Sequence, residues 1–112
     1  MKGLLAVFVF FLAANAVAAP VVLTHGRFRD VSLYKPKGEP QGLVLFLSGD
    51  GGWNPGVISM AKALADRGML VAGINTPALL KTLEADGASC EFADGDLENL
   101  SHFLQACAGL PG

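Results

Sequence analysis

The chain has 112 residues, with eight Lys and Arg against ten Asp and Glu and a formal net charge of −2. That length suits one small domain. Lys35, Lys37, Lys62, Lys81, Arg27, Arg29 and Arg67 are scattered rather than striped, so composition offers no basic surface for nucleic acid.

Residues 1–18 read as a signal peptide. Lys2 supplies the positive start, Leu4 to Ala14 is apolar, and Ala16-Val17-Ala18 is a small-residue cleavage site. The apolar run falls short of the ~20 residues that span a bilayer, and Asn15 interrupts any extension. The mature chain is therefore expected to be residues 19–112, periplasmic, with no transmembrane span after cleavage.

Thr24 to Tyr34 alternates apolar and polar positions around Phe28, Val31 and Leu33, the pattern of an edge strand wetted on one face. Pro36 to Gln41 is a turn-rich connector. Gly42 to Leu47 is continuously apolar, as a parallel strand covered on both faces would be. After a glycine-rich loop, Asn54 is placed to cap a helix that Pro55 opens. Val57, Ile58, Ala61, Leu64 and Ala65 repeat at helical spacing, while Lys62, Asp66 and Arg67 fall on the other side. Gly68 ends this helix, and Met69 to Ile74 is a second buried strand. The unit fits a right-handed strand–helix–strand crossover. Beyond Asn75-Thr76-Pro77 comes a shorter helix, Ala78 to Glu84, then a polar loop carrying Cys90 and Phe92. Asp94 or Asp96 can cap a last helix with Leu97, Leu100, Phe103, Leu104 and Cys107 inward, which Gly109 to Gly112 terminates.

The loop Ser48-Gly49-Asp50-Gly51-Gly52-Trp53 carries the chemistry. Glycines let the backbone turn sharply and approach a ligand closely, and a helix start leaves N–H groups at a positive end that favours anions. Asn54 stands where a dinucleotide fingerprint needs its third glycine, and the Gly-Lys-Ser/Thr ending of a phosphate loop is missing. The remaining functional reading is an oxyanion loop, with Asp50 and Gly51 presenting amides and Trp53 covering the loop or lining an acyl site. Ser32, Ser48, Ser59, Ser89 and Ser101 include none in a Gly-x-Ser-x-Gly elbow, so no catalytic nucleophile is assigned. His25 and His102 lack ligand-spaced partners, hence no metal and no cofactor are expected. Glu91, Asp94, Asp96 and Glu98 read as caps and a solvated face. Cys90 and Cys107, an even pair in an exported chain, read as a disulfide worth roughly 3 kcal/mol.

His25-Gly26-Arg27-Phe28, Leu45 through Trp53, Gly73-Ile74-Asn75-Thr76-Pro77, Ser89-Cys90 and Gly95 through His102 together resemble the VirJ/AcvB bacterial virulence-factor family. The resemblance covers essentially the whole mature chain. It implies a periplasmic domain linked to serine-dependent hydrolysis of aminoacylated phosphatidylglycerol, notably lysyl-phosphatidylglycerol, and to type IV secretion. Its implied partners are aminoacylated phospholipid, at a membrane surface, or secretion-system proteins. Family members continue past the segment matching Leu110-Pro111 into a Gly-x-Ser-x-Gly elbow and later Asp and His partners. The expected fold is therefore a partial α/β-hydrolase-like three-layer sandwich with a mostly parallel sheet, truncated before the nucleophile elbow and inactive alone. The alternative is a non-catalytic periplasmic binding module for secretion or envelope components.

Overall fold

A computed structural model of the chain describes residues 20–85 and 93–111. The expected leader, residues 1–18, and Cys90 of the expected Cys90–Cys107 disulfide lie outside the described residues. The elements are β1 (Val21–His25), β2 (Phe28–Tyr34), β3 (Gly42–Leu47), α1 (Pro55–Asp66), β4 (Met69–Ile74), α2 (Thr76–Ala85) and α3 (Asp94–Ala108).

The four strands form one sheet in the order β1-β2-β4-β3. β1 pairs antiparallel with β2, β2 antiparallel with β4, and β3 parallel with β4 over its whole length, from Gly42 beside Met69 to Leu47 beside Ile74. The parallel β3–α1–β4 unit is therefore present. The mostly parallel α/β-hydrolase-like sandwich is not: among the described residues two of the three pairings are antiparallel, and the fold is a small α/β one with a mixed sheet and three helices. Connector length explains the difference. A parallel neighbour requires a crossover of roughly a dozen residues or more. The connector between β2 and β3, residues 35–41, is shorter than that and returns the chain along the edge where β2 ended.

The single edge strand expected over Thr24 to Tyr34 is instead a hairpin. Gly26, at φ 59°, supplies the left-handed position of the β1–β2 turn. Past the turn the register shifts between Leu23 and His25, and Asp30 takes φ 55° on the bulged strand, its N–H facing the Thr24 hydroxyl at 3.4 Å. The bulge puts both Phe28 and Val31, three residues apart, into the same core cluster.

The sheet is covered on both faces. Val31, Leu33, Ala72 and Ile74 on one side pack with Leu79 and Leu83 of α2 and Leu100 and Leu104 of α3. On the other, Tyr34 and Val71 pack against Ala61 and Ala65 of α1, with Val44, Phe46 and Trp53 alongside. The alternation along β4 follows the period of two. Asn54 caps α1 as expected, its Oδ1 accepting from Gly56 N–H at 3.0 Å and Val57 N–H at 3.2 Å. Gly68, at φ 99°, follows the end of that helix, and Gly109, at φ 71°, ends α3.

Two expectations for α3 change. Ala93 occupies the cap position without a side-chain bond, and Asp94 and Asp96 lie in the first turn, where they complement the helix dipole. Asp96 also accepts from the Arg27 guanidinium of the β1–β2 turn. Leu100 and Leu104 are buried, but Phe103 is 41% exposed and Cys107 is exposed, because the inner stripe is narrower than the apolar pattern suggested.

Candidate functional site

β3 and β4 run in the same direction, so both carboxyl ends open on one edge of the sheet, where α1 and α2 begin. The β1–β2 turn lies at this edge too, since β2 starts opposite the end of β4. The ion pair between Arg27 and Asp96 brings the first turn of α3 to it. Four stretches distant in sequence, around Gly26, Ser48 to Trp53, Gly73 to Pro77 and Asp96, thus gather at one rim.

Ser48 continues β3. Its N–H donates to Ile74 O at 2.9 Å, and the residue is only 5% exposed. The hydroxyl donates to Gly49 O at 3.2 Å and accepts from Thr76 N–H at 3.0 Å. One side chain therefore latches the β3–α1 loop to the first residue of α2. A nucleophilic role for this hydroxyl is not supported by its surroundings: among the described residues no hydrogen bond joins a serine to a histidine. His25 stacks on Phe103, ring centroids 4.4 Å apart, and His102 is exposed on α3.

Gly49 to Gly52 form a tight turn closed by the Gly52 N–H to Gly49 O bond of 3.1 Å, and Asn54 N–H donates back to Gly52 O at 3.0 Å. Gly52 holds φ 77°, which a side chain would strain. The two central residues of the turn, Asp50 and Gly51, are exposed, and their N–H groups donate to no group among the described residues. The helix starts behave differently. The first amides of α1 are taken by Asn54, and at α2 Asn75 Oδ1 accepts from Ala78 N–H at 3.1 Å while Ser48 takes the Thr76 amide. The sequence pattern suggested open amides at the helix end itself. They are closed by caps, and the open donors are those of the loop.

Trp53 fastens this loop to the sheet. Its Nε1–H donates to the Tyr34 hydroxyl at 3.1 Å, and its ring meets Phe46 edge-on with centroids 5.5 Å apart. The ring lies over Gly73 of β4, where a Cβ would overlap ring carbons. Gly73, Tyr34, Asn75 and Thr76 were not singled out from sequence as site residues. The signals were present: a glycine inside an apolar strand marks close approach of another group, and Asn75-Thr76-Pro77 repeats the cap-and-proline logic of Asn54-Pro55. Thr76 Oγ1 is a buried side-chain oxygen without a hydrogen-bond partner among the described residues.

No group of three His, Cys, Asp or Glu among the described residues is placed to hold a metal ion, and no helix among them is long and apolar enough to cross a membrane. Comparison with protein-family models, curated proteins and solved structures finds no match to this chain.

Proposed function

We propose that this protein is an exported, periplasmic VirJ/AcvB-like domain that receives the anionic headgroup region of an aminoacylated phospholipid at the Ser48–Trp53 loop, and that it does not hydrolyse the ester by itself. The observation that carries the reading is the pair of amides of Asp50 and Gly51 that have no partner among the described residues, held at a sheet edge beside two helix N-termini. Amides fixed before a ligand arrives stabilise negative charge without the cost of reorganising, and both helix dipoles add to the positive field there. The shared rim formed by four of the family-like segments supports the same assignment. The Ser48 hydroxyl, committed to Gly49 and Thr76, supports the non-hydrolytic half of it.

Vesicles containing lysyl-phosphatidylglycerol provide the test. Binding of the protein with no lysine release above the blank is the expected result, and Gly51→Val is expected to weaken that binding at least several-fold. A Cβ at Gly51 would stand 3.0 Å from Asn54 Nδ2 and press on the side chain that caps α1 behind the loop. Enzymatic release of lysine, or binding indifferent to Gly51→Val, would overturn the proposal.

A second reading, a binding module that docks a secretion or envelope protein, is favoured by one feature. β3 ends the strand order, and its six residues, Gly42 to Leu47, carry neither charge nor proline on an edge that no described strand covers. Such an edge invites strand addition. Vesicle binding lost with Gly51→Val separates the loop reading from this one.

A further inference from the structure

The opposite edge of the sheet holds a feature that the loop does not use. A cavity of about 350 Å³ opens between the C-terminal half of α3 and the ends of β1, β2 and β4. Leu23, Leu33, Leu70, Phe103 and Leu104 form its walls, and among the described residues Lys35 is the one charged residue lining it. Lys35 is exposed, and among the described residues it makes no ion pair and no carboxylate lines the space. An apolar pocket of this size with one placed polar group is the usual form of a small-molecule site, near the lower end of the common range. It also accounts for Phe103: its exposed ring is held by the stack on His25 and forms one wall.

We infer that this cavity binds a medium-length acyl carboxylate, with the chain among the leucines and Phe103 and the carboxylate at Lys35. Charge complementarity selects the ligand class. An ammonium with no ion pair among the described residues, beside an otherwise apolar lining, favours an amphiphile with a single negative end over a neutral or cationic one. The site lies at the sheet edge away from Ser48–Trp53 and stands independently of the headgroup reading.

Decanoate and decylammonium titrated into the whole protein, followed by methyl NMR, test this directly. Decanoate is expected to bind about tenfold tighter than decylammonium, shifting the methyls of Leu23, Leu70 and Leu104. Lys35→Gln brings the two ligands close to equal, and Lys35→Glu reverses the order. Lys35 is exposed, so these variants leave the core untouched. Ala108→Trp, filling the cavity from the last residue of α3, is expected to abolish binding of both ligands. Equal affinities in the parent protein, a preference unmoved by Lys35→Glu, shifts confined to other methyls, or no saturable binding would each overturn the inference.

Discussion

Gly73→Ala is expected to cost about 3 kcal/mol, at the upper end for overpacking a well-filled site, and to drive the Trp53 ring off the sheet. No rotation of a small group can absorb the added Cβ, because it would occupy the space of the indole ring itself. The ring must leave, and with it go the hydrogen bond to Tyr34 and the edge contact with Phe46. For a domain this small the melting temperature falls by more than about 10 °C. Trp53 is the only tryptophan, so its emission reports the event without labelling. A red shift with loss of quenching contacts accompanies the lowered stability. Gly49→Ala is the control: nothing lies within 4 Å of a Cβ there, and both stability and emission should stay near the parent values.

Ser48→Ala is expected to cost about 2 kcal/mol, because it removes a hydroxyl that serves two backbone groups and leaves the Thr76 N–H without its acceptor. The effect reaches beyond stability. Without the latch, the β3–α1 loop and the start of α2 are no longer tied, so amide exchange should rise at both Thr76 and Gly52. Thr76→Val, at the same place, is not expected to destabilise. Its Oγ1 is buried without a partner among the described residues, and replacing it by a methyl group of similar shape is expected to be neutral or slightly stabilising. Chemical denaturation with unchanged slope would confirm that both variants act on the folded state.

The parts of this fold that local chemistry dictates were legible in the sequence. The β3–α1–β4 crossover follows from two apolar runs flanking an amphipathic helix, and its ends are written in Asn54, Pro55 and Gly68. The loop between them announced itself through its glycines. What escaped depends on one residue's backbone or on distant partners. A lone Gly26 turned one expected strand into a hairpin, and the bulge at Asp30 concealed the break by keeping Phe28 and Val31 on one face. The antiparallel place of β2 is set by a short connector beside a neighbour, β4, that comes later in the chain. Phe103 fits the helical stripe of α3 by spacing alone, yet its seat on His25 lies outside that stripe. Within the site, the loop was legible but its fastening was not. The overlap of Trp53 with Gly73 joins residues whose proximity only the β3–β4 register creates.

Electrostatics at the loop carry an internal tension. Asp50 brings a carboxylate to the turn whose amides we propose receive an anion, yet it is exposed, where solvent and salt weaken its repulsion. The donors that matter are main-chain groups, which no side-chain substitution neutralises and which only a change of turn geometry can remove.

The most direct measurement is the titration of uniformly ¹⁵N-labelled protein with glycerol 1-phosphate, following the amides of Asp50 and Gly51. Saturable downfield shifts at these two positions, with the capped amides of Gly56, Val57 and Ala78 unmoved, are the predicted result. Two loop amides that stay silent while the phosphate binds elsewhere, or not at all, would contradict the claim that this turn is built to hold negative charge.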